Sequence, residues 1–186
     1  VNFSNPNPKV KINDYMEHIN EVVGEISGKV YIISHSLGTA IVEKYITKFS
    51  PKLDAVVFLT PSLVIKRLQK AFLVNFHNIM RSKSCFYFSN RLDESVESVY
   101  LDKFTDESRK IELLMIRKKV PVGYEWNYKT LVMGSLNDNC MPISVLLDTA
   151  KIFKAKLIIY QEHCHDMMLD PAWEIVAEDI LGFILV

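Results

Sequence analysis

The segment that most restricts the fold is the apolar run Lys29-Val30-Tyr31-Ile32-Ile33, which passes through Ser34-His35-Ser36-Leu37-Gly38 into a helical pattern over Thr39 to Phe49. A short apolar run reads as a buried strand, and an immediate switch to helical periodicity leaves room only for a sharp strand-to-helix reversal. Such a turn lifts the Ser36 hydroxyl clear of the sheet and aims it at a helix N-terminus, where backbone N–H groups can stabilise an anion. This is the arrangement of a nucleophile elbow. A strained turn needs small neighbours. Gly38 supplies one, and Ser34 stands where the G-x-S-x-G pattern has its first glycine. Because Ser-x-Ser-x-Gly strings also recur by chance in loops, the reading turns on the rest of the chain.

An elbow nucleophile needs an acid and then a histidine further along the chain. Lys129 to Met133 reads as a short buried strand, and Gly134-Ser135-Leu136-Asn137-Asp138 turns out of it before Pro142 opens a helix. Asp138 is thus expected in a loop at the strand's C-terminal end. A further apolar run, Lys156 to Tyr160, leads into Gln161-Glu162-His163-Cys164-His165-Asp166-Met167-Met168-Leu169-Asp170-Pro171, which puts His165 on the loop after the last strand. All three groups emerge from the carboxyl ends of strands, the edge of an open parallel sheet where ligands bind.

Ser34 to Gly38, the Gly134 to Pro142 segment, and His165 to Pro171 followed by Trp173-Glu174 resemble the three motif blocks of the α/β-hydrolase superfamily, closest to its cap-bearing esterase and lysophospholipase-like members. The resemblance spans nearly the whole chain. It implies Ser36 as nucleophile, His165 as general base and then acid, Asp138 as the group orienting the imidazole, and the Leu37 N–H in the oxyanion hole. Ser34 and Thr39 depart from frequent glycines of the elbow. Superfamily members usually carry several strands before the elbow and a loop, often marked His-Gly, that supplies a second oxyanion donor. This chain begins at Val1 and has no His-Gly dipeptide, so the expectation is an N-terminally truncated fragment or a reduced hydrolase. Losing that donor would cost roughly 10²–10³ in turnover.

The fold class expected is α/β: a partial parallel sheet flanked by helices, with a helical cap insertion. Ile12 to Ile26 carries apolar residues at helical spacing, and Gly28 ends that helix. Leu53 to Leu59 is a second buried strand, closed by Thr60-Pro61-Ser62, so strand, helix and strand form a parallel crossover. From Ser62 to about Gly123 the pattern is helical, over Leu63 to Met80 and Glu107 to Lys119, with a polar break near Asn90 to Glu94. The division is therefore a core over 1–61 and 124–186 and a cap over 62–123. Within the cap, Ala71 to Phe76 and Leu113 to Ile116 are strongly apolar; they either pack on the core or face a lipophilic acyl chain. Tyr124, Trp126 and Tyr128 likewise line a pocket or enter the core.

Composition fits a single domain. With 186 residues, the chain buries about 70% of its unfolded surface if compact. Twenty-two basic and twenty-two acidic residues balance, which points to neither nucleic acid nor an anionic membrane as partner. No apolar stretch reaches the ~18 residues of a membrane span, and no signal-peptide pattern opens the chain. Cys85, Cys140 and Cys164 are an odd, widely spaced set, read as reduced thiols in the cytoplasm. The oligomeric state is left open.

Competing residues have alternative readings. His163 and His165 flank Cys164, with Asp166 following, but further suitably spaced metal ligands are lacking; neither metal nor cofactor is expected. His163 could replace His165 as base, although the Asp166-Met167-Met168-Leu169 continuation favours His165. His35 is read as pointing away from Ser36, in a structural or pocket-lining role. Asp170, before Pro171, makes a better helix N-cap than triad acid. His18 and His77 fall in helical patterns without a functional signal. Together these features predict a cofactor-independent hydrolase of a small acyl substrate, the alternative being a non-catalytic remnant that binds a ligand or protein through an exposed sheet edge.

Overall fold

The computed structural model describes residues 11–62, 87–104 and 125–186. Their elements in chain order are α1 (Ile12–Glu25), β1 (Tyr31–His35), α2 (Gly38–Phe49), β2 (Ala55–Leu59), α3 (Glu94–Leu101), β3 (Thr130–Ser135), α4 (Ile143–Phe153), β4 (Lys156–Tyr160) and α5 (Trp173–Ile184). The four strands form one parallel sheet in the order β1-β2-β3-β4. β2 and β3 are buried throughout, as the apolar runs Ala55 to Leu59 and Leu131 to Met133 require of central strands covered on both faces.

Alternation along the strands divides the core into two layers. Ile32, Val56, Phe58, Val132 and Leu157 meet Met16 and Ile19 of α1, Val42, Tyr45 and Ile46 of α2, and Leu146, Ala150 and Phe153 of α4. On the opposite face Tyr31, Val57, Leu131, Met133 and Ile158 meet Val176, Ile180 and Phe183 of α5. Trp126 belongs to the first layer: it packs on Phe58 and Phe153, and its indole N–H donates to Thr130 Oγ1 at 2.6 Å. Tyr128 donates its hydroxyl to the Pro51 carbonyl. These contacts give both aromatic residues a structural role.

Register aligns the strand ends. His35 pairs with Leu59, and Leu59 with Met133, so the residues leaving β1 and β2 emerge side by side at the carboxyl edge. β3 runs on to Ser135, opposite Tyr160 of β4, which puts the loops carrying Asp138 and His165 at the same edge.

The expected insertion falls largely outside the described residues. This includes the helices expected over 63–80 and 107–119, the apolar stretches 71–76 and 113–116, His77, Cys85 and Tyr124. Within 87–104 the polar break holds as turns from 88 to 93, but the following helix α3 was not anticipated. Its signal is local: Asp93 accepts from the Ser95 N–H at 2.8 Å, with Glu94 and Glu97 in the first turn. α3 buries no residue, which is why hydrophobic periodicity misses it.

At Gly134, β3 packs tightly against Leu146 of α4. A Cβ there would lie 1.8 Å from Leu146 Cδ2 and 2.8 Å from its Cγ, and Leu146 is fully buried. Gly134→Ala is expected to cost about 1–3 kcal/mol in urea unfolding, with a smaller loss in a Leu146→Ala background, where the space is already open.

Candidate active site

Ser36 stands between β1 and α2 with φ of 47°, in the left-handed region that a residue with a Cβ enters at a cost of about 1–3 kcal/mol. Three hydrogen bonds hold it there. Its N–H donates to the Leu59 carbonyl at 3.0 Å, and its own carbonyl accepts from the N–H groups of Thr39 and Ser62, each at 3.1 Å. The small-neighbour requirement is milder than the sequence suggests at Gly38, where a Cβ would meet only Ser34 Cβ at an ordinary 3.6 Å. Buried Ser34 is the closer packed of the two positions.

The three sequence-predicted residues are brought together. His165 Nε2 lies 2.9 Å from Ser36 Oγ, and His165 Nδ1 lies 2.9 Å from Asp138 Oδ2. An ionised carboxylate only accepts, so Nδ1 carries the proton and Nε2 of the neutral ring accepts from the Ser36 hydroxyl. Asp138 Oδ1 accepts from the backbone N–H groups of Cys140 and Met141 at 2.7 and 2.8 Å, so the loop turns tightly around its carboxylate. Both His165 and Asp138 are buried. Burial works against the imidazolium, yet hydrogen bonding and charge from Asp138, joined by Cys140, outweigh it and raise the His165 pKa above its ordinary 6.5.

The other histidines part company. His163 donates from Nε2 to the Ala172 carbonyl at 3.2 Å and takes no part in the relay. His18 lies beside Glu21 on α1. His35, set aside by the sequence reading, packs on His165 with ring centroids 4.9 Å apart and donates from Nε2 to the His165 carbonyl at 3.1 Å. Asp166 Oδ1 lies 3.3 Å from the same nitrogen. Burial, assisted by the neighbouring imidazole of His165, pushes His35 down to about 3, and burial pushes the Asp166 carboxyl up to about 6. His35, His165 and Asp166 are the described group with ligand atoms close enough to share a cation, all within 4.8 Å. Both nitrogens of His165 are already committed to Ser36 and Asp138, and Nε2 of His35 to a carbonyl, so the group works as a hydrogen-bond cluster.

A family model described as Serine hydrolase matches residues 4–171. No curated protein sequence matches significantly. Among solved structures the chain is similar to an esterase (EaEST) from Exiguobacterium antarcticum, with a TM-score of 0.72 and 14% identity over 95% of this chain and 74% of that one. It is similar also to a bromoperoxidase from Bacillus anthracis, with a TM-score of 0.73 and 13% identity over 95% and 75% of the two chains. A monoacylglycerol lipase from Paleococcus ferrophilus aligns with a TM-score of 0.61 and 18% identity over 94% and 75%. At these identities the likeness is one of fold.

Residues 87–91 close over the loop that carries His165. The Tyr87 carbonyl accepts from the Asp166 N–H at 3.0 Å, its ring lies 6.1 Å from that of His165, and Phe104 packs edge-on against it. Arg91 anchors the segment, donating to Asp170 Oδ1 at 2.6 Å and to Glu162 at 3.0 Å. Asp170 Oδ1 also accepts from the Ala172 N–H and closes the turn before α5, but the N-cap position falls on Ala172, which has no side-chain cap, so Asp170 is not the helix N-cap its sequence position suggests. Burial alone would raise the Asp170 pKa, but the Ala172 N–H, Ser89 and Arg91 together lower it. Arg91→Gln leaves that carboxylate without its charged partner and is expected to cost about 1.5–3 kcal/mol at neutral pH. A depressed folded pKa contributes stability above the unfolded value of 3.8 and loses it as pH falls through the lower folded value. The gap between wild type and variant, followed by thermal unfolding against pH, should therefore close in acid.

Proposed function

The chain belongs to the serine hydrolase family, and on that premise we propose that it cleaves a carboxylic ester or related acyl bond of a small, lipophilic substrate, with Ser36 as nucleophile, His165 as base and then acid, and Asp138 as the orienting group. The reading is carried by one observation, the unbroken relay from Ser36 Oγ through both ring nitrogens of His165 to Asp138 at 2.9 Å per step. Its α/β-hydrolase fold, a parallel sheet flanked by helices with the relay at the strands' carboxyl edge, is the frame such chemistry needs.

In the first half-reaction Ser36 Oγ attacks the carbonyl carbon while its proton passes to His165 Nε2. The imidazolium forms next to Asp138, which stabilises it without taking its proton. The Leu37 N–H, at the head of α2, faces the developing oxyanion in this reading. The tetrahedral intermediate collapses by breaking the bond to the leaving group, which takes the proton from Nε2. Water then attacks the acyl-serine, giving its proton to the same nitrogen, and the acid departs as Ser36 recovers its hydrogen. Tyr87 beside His165, with Phe104 edge-on against it, supplies an apolar wall for the substrate. The similarity to structures named as an esterase and a monoacylglycerol lipase supports a lipophilic ester. Free thiols at Cys140 and Cys164 support a cytoplasmic setting. Among the described residues no helix is long and apolar enough to cross a membrane.

Intact-mass detection of a fluorophosphonate probe tests the nucleophile. Wild type should take one label that Ser36→Ala loses, and Ser36→Ala and His165→Ala should lose almost all ester turnover while staying folded. A folded wild type that takes no label would instead fit a non-catalytic binding protein.

Only neutral His165 accepts the serine proton, so the labelling rate should rise with pH through the raised His165 pKa. Asp138→Asn removes the main stabiliser of the imidazolium; its rate should level off at lower pH and at a maximum about 10⁴-fold lower.

A further inference from the structure

The proposed base hangs from the strand farthest from the nucleophile. His165 follows β4, whereas Ser36 follows β1, three inter-strand spacings or roughly 14 Å away. Residues 161–165 must reach back across the sheet edge. A 2.9 Å contact to Ser36 Oγ survives only if something fixes their far end, since a misplacement of about 1 Å can cost 10²-fold in rate.

Two side chains meet this requirement at a single atom. The His165 carbonyl accepts from His35 Nε2 and from Thr60 Oγ1, each at 3.1 Å. A carbonyl oxygen has two lone pairs, so these donors fill it. Their positions in the chain are informative. His35 is the last residue of β1 and is covalently joined to Ser36. Thr60 directly follows Leu59, whose carbonyl holds the Ser36 N–H. Thr60 is itself in the left-handed region at φ of 40°, with its N–H on the Met133 carbonyl, so its hydroxyl sits on braced backbone.

We propose that His35, acting with Thr60 through the His165 carbonyl, is a positioning residue for the reaction: it ties the loop of the base to the strand end that carries the nucleophile. A short closed circuit results, from Ser36 through the peptide bond to His35, across the hydrogen bond to the His165 main chain, and through the imidazole back to Ser36 Oγ. Donation to a carbonyl requires a proton on Nε2, and Asp166 Oδ1 beside that nitrogen favours the same tautomer. With its Nε2–H engaged on that carbonyl, half-buried His35 serves as a fixed donor.

The inference rests on Ser36 being the nucleophile and His165 the base, and two readouts on the 186-residue chain separate it from that reading. The first is the fluorophosphonate labelling rate of wild type, His35→Leu, His35→Gln, Thr60→Val and the double variant of His35→Leu with Thr60→Val. The second is the low-field proton resonance of His165 Nδ1–H, which reports imidazole placement without any turnover. His35→Leu should slow labelling up to about 10²-fold and shift or broaden the resonance. His35→Gln, whose side-chain amide restores an N–H donor, should recover most of both. Thr60→Val should act in the same direction, and the two losses should fall short of adding because they serve one acceptor.

His35→Leu labelling at the wild-type rate with an unchanged resonance overturns the proposal. So does a His35→Gln variant as impaired as His35→Leu, since ring shape and not the donor would then matter. If His35→Leu fails to fold, Thr60→Val carries the decision: slower labelling supports the proposal and wild-type behaviour overturns it. If wild type takes no label, the nucleophile reading falls, while the resonance of His35→Leu against wild type still decides whether His35 positions the imidazole.

Discussion

Ser36 is held at a backbone angle it would not choose, and the arrangement around it follows from how that angle is enforced. A left-handed conformation costs a serine about 1–3 kcal/mol, and the cost is met by bonds to the Leu59 carbonyl and from the Thr39 and Ser62 N–H groups. Those partners sit on the end of β2, in α2 and in the segment after β2. The turn is therefore stable only when the β1–β2 pairing and the start of α2 already exist. Strain at the elbow is a property of the folded sheet, which directs the hydroxyl outward while the backbone stays pinned beneath it.

The same sheet edge arranges the charge. Asp138 is buried, and a carboxylate in that position must be fully hydrogen-bonded to remain ionised. It is, with one oxygen on His165 and the other on two backbone N–H groups. The cost of enclosing the anion is thus largely offset in the resting state, and its remaining capacity is aimed at the imidazole. A proton arriving at His165 gains more there than it would in water, because burial removes the solvent that would screen Asp138. Preorganisation of this kind suits a reaction in which positive charge appears on the base only as the bond to substrate forms.

The neighbourhood beyond the relay is made of long-range contacts. The bonds from His35 and Thr60 to the His165 carbonyl, from Asp166 to Tyr87, and from Arg91 to Asp170 each join segments far apart in the chain. They converge on one loop, residues 161–172, which has little regular structure of its own. A loop of that length costs conformational entropy to fix. Attachments to the strand ends on one side and to residues 87–91 on the other are what give it a single conformation.

From residue order alone, the strands, the elbow and the serine–acid–histidine sequence were legible, because each is a local pattern: apolar runs set buried strands, periodicity set α1 and α2, Pro142 marked the start of α4, and a small-residue turn joined β1 to α2. Of the two histidines flanking Cys164, His165 is the one that meets Ser36 and Asp138, whereas the N-cap expected at Asp170 falls on Ala172. Local pattern did not reach the partners of His35, which was read as pointing away from Ser36 in a structural or pocket-lining role, or α3, which buries nothing. Each of these depends on which residues another part of the chain brings alongside. Strand register placed His35 and Leu59 level, the reach of the β4 loop brought the His165 carbonyl over both, and neither quantity is written in the residues that take part. Sequence determined what each segment could become; tertiary structure decided which side chains share an atom, because parallel strands distant in the chain are aligned only by the core that packs between them.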